Sequence, residues 1–358
     1  MKKLDLYIIK KFLGTFFLSI VLILMIVVVF DISEKMEDFI LKKPPISEII
    51  VNYYFNFLPY FANLFSPLFT FIAVIYFTSR MADRSEIIAI LGSGVSFKRI
   101  LLPYMLAAGT IASFSLYFNH FVIPKSNKIR LAFEEKYIRN AYEIKDRNIH
   151  KEISPGTFIY FNSYNASDNS GYQFSLEKIN NGKRDYYLKA DNIKWDSTKN
   201  KWSLENYFVR TIDGMHEKFY EGAKLDTALD FLPEEFSTRE NKIEAMQTPE
   251  LRTCIAAERQ KGSYLIPYYE VEEYSRSAFP FATFVLTLIG AIVASKKVRG
   301  GIGWQLGLGL TISFSYIFLM KVSTVFATNG GMPALIAVWI PNVIFTVLAL
   351  FMLRTAPK

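Results

Sequence analysis

"DRSEIIAILGSGVSFKRI", residues 83–100, is charged at both ends, apolar in its middle, and set between two long apolar runs. Asp83 or Ser85 can cap a helix start, and Glu86 falls in the first turn, where the helix dipole favours an acid. Ile87, Ile88, Ile90 and Leu91 supply apolar surface, and Gly92 and Gly94 can end the helix. The pattern predicts about two helical turns, too short to persist alone in water and in need of a surface. What that surface is depends on what the flanking runs are.

Six stretches lack Asp, Glu, Lys and Arg and approach or exceed the roughly 20 residues that cross a bilayer: 12–30, 49–79, 100–124, 277–295, 300–320 and 322–353. The chain is 51% hydrophobic and 16% aromatic over 358 residues, and the excess is held in those blocks, which argues for a membrane protein. The first run follows "MKK" but is too long for a signal-peptide core, and "VVVFDISEK" offers no small-residue cleavage site, so it reads as a retained span. The net charge of +8 does not point to nucleic acid, because the basic residues cluster at the edges of the apolar blocks.

Their distribution sets an orientation. Thirteen basic residues, including Lys10, Lys11, Arg84, Lys98, Arg99 and Arg354, fall on one side, against Lys35, Lys42, Lys43 and Lys321 on the other. The positive-inside rule then places both termini and the 83–100 loop in the cytoplasm. Residues 124–276 face outward. They open with a helical pattern (Ile129, Phe133, Tyr137, Ala141) and change at Gly156 to aromatic and β-branched runs: "TFIYF", "YQFSLEKI", "DYYLKADNIKW" and "WSLENYFVRTI". Turn signals "NNGK" and "DSTKNK" separate them, and a sandwich or jelly roll is expected. The predicted organisation is an α+β membrane protein: spans in 1–123 with a short helix at about 83–97, a β-domain with flanking helices in 124–276, and three spans in 277–358.

Catalytic signatures are absent from the sequence. It contains no phosphate-cradling G-x-x-x-x-G-K-[ST], no H-E-x-x-H and no G-x-S-x-G. Its single cysteine, Cys254, excludes a disulfide framework, and His120, His150 and His216 are scattered too widely for a metal centre. Apart from His120 at an edge, the apolar runs hold no ionisable group of the sort an ion-coupled transporter places at the midplane. If the protein moves something, the energy comes from a partner. The 83–100 helix can dock on that partner, or lie on lipid headgroups as a plain connector.

"RMADRSEIIAILGSGVSF" resembles the cytoplasmic loop of the LptF/LptG lipopolysaccharide-export permeases, with its R-S-E, apolar stretch, small residue, Gly and aromatic. "GGMPALIAVWIPNVIFTVLALFML" is similar to that family's last span, "YSRSAFPFATFVLTLIGAIVA" to its fourth, and "KKLDLYIIKKFL" to the "LDRYI" start of the LptG branch, with Leu6 in place of the Arg. The resemblance covers essentially the whole chain. It implies a bacterial inner-membrane permease that pairs with a sister permease and a dimer of a separate cytoplasmic ABC ATPase. That ATPase binds the ATP and Mg; no cofactor is implied for this chain. The assembly extracts lipopolysaccharide and passes it, through the jelly-roll domains, to a periplasmic bridge protein.

The resemblance also implies site residues. Arg84, Ser85, Glu86 and Gly94 match the loop that docks on the ATPase, with Glu86 as the contacting acid. Lys35, Lys42 and Lys43 match lysines that meet the lipid phosphates, a role open to a point charge, although lysines at helix ends also serve as interfacial anchors and the nearby Asp31, Glu34, Glu37, Asp38 and Glu48 offer local salt bridges. Gly303 and Gly307 lie four apart on the fifth span, one of the two that form the gate between permeases, where small residues permit close helix approach; packing within one chain is the other reading. The competing functions are a permease of another ATP-driven exporter and a non-transporting scaffold displaying a β-domain. Copurification of an ATPase separates the scaffold from the permeases.

Overall fold

The structure, a computed structural model, describes residues 3–138, 143–165, 168–180, 182–214, 216–233, 240–260, 263, 265–296 and 301–354. The chain divides into two compact units: Met1–Ile138, Ile243–Leu251 and Pro267–Lys358 in one, Arg139–Lys242 and Arg252–Ile266 in the other.

The first unit is helical. Helix α1 (Lys3–Lys42) has 40 residues, a length of about 60 Å at 1.5 Å per residue, twice a bilayer core. A short α2 (Ile46–Glu48), a π-helical turn (Ile49–Tyr54) and α3 (Phe55–Asp83) make one 38-residue rod. After α4 (Glu86–Gly92), α5 (Phe97–Tyr117), a second π turn (Phe118–Val122) and α6 (Ile123–Tyr137) make another of 41 residues. Beyond the β-domain come α7 (Glu240–Ala245), α8 (Thr248–Gln260, which from Arg252 on belongs to the second unit), α9 (Ile266–Ala278), α10 (Phe281–Ala294), α11 (Gly301–Asn329) and α12 (Ala334–Arg354). Among the described residues, five helices are long and apolar enough to cross a membrane, and six if α9 and α10, bent by 49°, count as one. The six expected runs therefore all find carriers. The expected boundary at Lys321 is corrected: α11 continues to Asn329, because one lysine does not break a helix, and the chain turns only at Gly330–Pro333.

Small residues and proline organise the packing. Ala282, Gly290, Ala291 and Ala294 are the smallest of the residues that α10 buries. A Cβ on Gly290 would lie 2.9 Å from the Phe71 ring, so only glycine admits α3 there. The α9–α10 bend sits at Phe279–Pro280. There Ala282 N–H bonds Phe279 rather than Ala278, and the Ala278 carbonyl accepts from Asn342 Nδ2 at 2.9 Å instead.

The second unit holds a six-stranded antiparallel sheet: β1 (Glu143–Ser154), β2 (Thr157–Asn165), β3 (Ser170–Asn180), β4 (Lys183–Asp196), β5 (Lys201–Asp213) and β6 (His216–Thr227). The strand order is sequential, β1-β2-β3-β4-β5-β6. The inserted β-domain is as expected, and these strands form a meander, without the crossovers of a jelly roll, each pairing with its neighbours in sequence. β1 and β6 escape sequence detection because both are charged edge strands, the usual protection of an unpaired edge. One face carries Ile159, Phe161, Phe174, Leu176, Leu188, Trp202 and Leu204 into a core closed by Phe231, whose carbonyl accepts from Trp202 Nε1 at 3.0 Å.

Candidate functional site

The 83–100 segment folds as expected in outline. Helix α4 spans Glu86–Gly92, and Gly94 follows it with φ +86°, a conformation open to glycine. Ser85 stands at the N-cap but does not cap. Its φ of +61° is left-handed, and the side chain makes no cap bond, since capping needs an extended φ/ψ. That left-handed turn at a non-glycine residue reverses the chain between α3 and α4 at a cost of about 1–2 kcal/mol. Ile87 is buried in the same cluster as Ile8, Phe12, Phe77, Phe97 and Tyr104. Ile88, Ala89 and Gly92 are exposed, leaving α4 an apolar outer face beside half-buried Glu86. Arg84 Nη1 stands 4.0 Å from Glu86, and Tyr7 Oη donates to Glu86 Oε2 at 3.3 Å.

Arg99 is held by a residue at the start of the chain. Its Nη1 and Nη2 donate to Oδ1 and Oδ2 of Asp5, both at 2.8 Å. The fork ties the start of α5 to the start of α1, and Asp5 is only 2% exposed. Lys98 remains exposed.

Near the other end of α1, Lys35 is caged rather than free. Its ammonium contacts Asp31, one turn earlier, and the Tyr53 hydroxyl. It also lies 4.6 Å from the Tyr53 ring centroid and 5.8 Å from that of Phe57. Asp31 is buried and accepts from Tyr53 Oη at 3.0 Å and Tyr54 Oη at 3.1 Å. The π turn places two successive tyrosines on one carboxylate. Lys42 and Lys43, at the end of α1, are exposed, and no ion pair joins them to another described residue. The structure thus separates one tethered lysine from a free pair. The spacing of Asp31 and Lys35, four apart on a helix, was the available signal for the cage.

Gly303 and Gly307 face open space, with nothing within 4 Å of a Cβ at either. No described residue packs against either glycine. The close approach falls on Gly309, where a Cβ would lie 2.2 Å from Ile75 Cδ1 on α3.

A polar cluster in the helical unit was not legible in the sequence. Glu244 on α7 accepts from Asn127 Nδ2 at 3.5 Å. Burial, then the neighbouring Glu272, push its carboxyl up to about 7 against the pull of Arg130, Lys321 and Arg276. Arg276 is 3% exposed and donates to Glu272 at 2.8 Å, Thr248 Oγ1 at 3.1 Å and the Ile243 carbonyl at 3.4 Å.

Long apolar helices, an inserted antiparallel sheet and a short amphipathic helix between two spans define a multi-pass membrane protein with an inserted β-domain. The chain belongs to the family described as lipopolysaccharide export system permease LptF/LptG, whose model matches residues 6–355. Members of that family are permease components of lipopolysaccharide export, not enzymes, and the description takes the two branches together. The chain is also similar to an uncharacterized protein of Aquifex aeolicus (strain VF5), 25% identical over 181 residues, 49% of this chain and 50% of the relative. This chain spans about half the length of that curated relative.

Proposed function

We propose that this chain, most like the LptG branch by its opening segment, is one half of a heterodimeric permease in a bacterial inner membrane, with both termini cytoplasmic. In this reading a sister permease of the same family completes the pair, and a cytoplasmic ABC ATPase dimer, holding ATP and Mg, docks on α4. Lipopolysaccharide leaves the membrane between the permeases and passes by way of the β-domain to a periplasmic bridge protein. The observation that carries this reading is α4 itself: Ile87 is anchored among the spans while Ile88 stays 57% exposed next to Glu86. A connector lying on headgroups needs no acid beside its apolar face. A helix that receives a basic residue of an ATPase does, and the chain has no phosphate-binding loop of its own. The exposed Lys42 and Lys43, with Lys35 behind them, suit the phosphates of the lipid headgroup. Gly303 and Gly307 offer a bare strip to the sister permease.

The test is copurification from detergent. An ATPase accompanies the wild type and is lost, together with coupled lipid release from membrane vesicles, in Glu86→Lys. Undiminished release by Glu86→Ala and Glu86→Lys, or a wild type with no nucleotide-binding partner, refutes the proposal.

A further inference from the structure

We infer that the Asp5–Arg99 pair is the mechanical joint that carries movement of the α4 loop into α1. The inference rests on the reading of α4 as an ATPase-docking helix and goes beyond it, by naming the span that is driven and the residues that position it.

Three observations support it. First, α1 is the least embedded of the first three spans: 17% of its apolar window is buried, against 44% and 50% for the next two. A loosely packed helix follows whatever holds its ends. Second, its foot is held firmly. Ile8 and Phe12 are fully buried, Phe12 stacks on Phe77 at 5.8 Å, Phe77 stacks on Tyr104 at 5.2 Å, and Ile87 of α4 joins the same cluster. Third, the polar bond at that foot is directional. A planar guanidinium meets a carboxylate through two parallel bonds of 2.8 Å, which fixes orientation as well as distance. Asp5 is nearly inaccessible, so parting from Arg99 would cost a buried carboxylate two charge-assisted bonds, and the pair resists separation when either helix is pushed. Arg99 lies seven residues past the end of α4, and Tyr7 reaches Glu86 itself. Displacement of α4 therefore pulls on the first two turns of α1, and the far end of that helix carries Lys35. Asp5 and Arg99 are positioning residues, acting through the helices they join.

The test uses the full complex, with its ATPase and sister permease, in membrane vesicles. Asp5→Arg, Arg99→Asp and the double exchange Asp5→Arg/Arg99→Asp are compared for ATPase copurification, ATP hydrolysis and lipopolysaccharide released per ATP. Each single reversal should keep the ATPase bound and hydrolysing while release per ATP falls about tenfold, and the exchange should restore most of it. Asp5→Asn, which keeps shape and one acceptor, is measured alongside; it should give an intermediate loss and decides the matter if a reversal does not reach the membrane. Wild-type release per ATP in the singles or in Asp5→Asn overturns the joint. So does an exchange no better than its parents, or loss of the ATPase from the singles, which would make the pair a simple support for docking. A wild type that carries no ATPase overturns the docking reading, and the joint falls with it.

Discussion

Asn342, one residue after a helix-interior proline, donates its Nδ2 to the carbonyl of Ala278 at 2.9 Å while its Oδ1 accepts from Tyr316 Oη at 2.9 Å. One side chain thus joins α12 to α11 and to the bend between α9 and α10. The Ala278 carbonyl is freed by the bend and lies where water is scarce, so a side chain must satisfy it. Asn342→Leu keeps the branched outline of the side chain and removes both bonds. Its expected cost is about 1–2 kcal/mol, at the lower end if another polar group shifts in. Thermal unfolding in detergent should show a lower midpoint for Asn342→Leu and a smaller drop for Tyr316→Phe; an unchanged midpoint in both would mean the bend does not depend on this bond.

Lys35 and the Lys42–Lys43 pair should separate in stability measurements. Removing Lys35 leaves Asp31 as a buried carboxylate with only tyrosine hydroxyls for company, which is costly, whereas a doubly neutral site is tolerated. Lys35→Met is expected to destabilise the protein by about 2 kcal/mol or more, and Asp31→Asn/Lys35→Met to recover much of it. Lys42→Met and Lys43→Met should stay within about 0.5 kcal/mol of the wild type. Denaturant titration in detergent distinguishes the sets, and equal losses at positions 35 and 42 would remove the distinction between tethered and free lysines.

The two glycine sites on α11 call for opposite outcomes. Gly309→Val puts a branched side chain where a single Cβ already meets Ile75, a buried residue, and should cost about 1–3 kcal/mol. A Cβ at Gly307 meets no described residue, so stability should hold in Gly307→Leu. If that strip receives the sister permease, Gly307→Leu should still lower its recovery in a pull-down. Full recovery with Gly307→Leu would place the subunit contact on another face.

The spans, their number and the inserted β-domain were legible because apolar length and the change of period at Gly156 are local signals. The loop helix was legible for the same reason: Glu86, Ile87 and Gly94 are neighbours in sequence. What escaped depends on residues far apart in the chain. Arg99 reads as one more surface cation until Asp5, 94 residues away, meets it. Tyr53 shows no partner in sequence until the π turn aims it at Asp31. Gly303, Gly307 and Gly309 look alike in sequence, and only helix rotation shows that the third is pressed against α3. The edge strands β1 and β6 were missed because the charges that keep an edge from pairing with other chains also hide its alternation.

Glu244 makes the helical unit sensitive to pH. Its carboxyl is raised from the usual 4.5 to about 7, first by burial and then by Glu272, while Arg130, Lys321 and Arg276 oppose the shift. The folded protein therefore holds a proton that the unfolded chain has lost between those two values. The stabilisation this gives is complete below about pH 4.5 and disappears as pH rises through about 7. Thermal midpoints in detergent should accordingly be higher at pH 6 than at pH 8. Glu244→Gln, which is neutral throughout and keeps an acceptor for Asn127, should flatten that difference and stabilise the protein most at pH 8. If Glu244→Gln leaves the pH 6 to pH 8 difference as it was in the wild type, the dependence arises in another group.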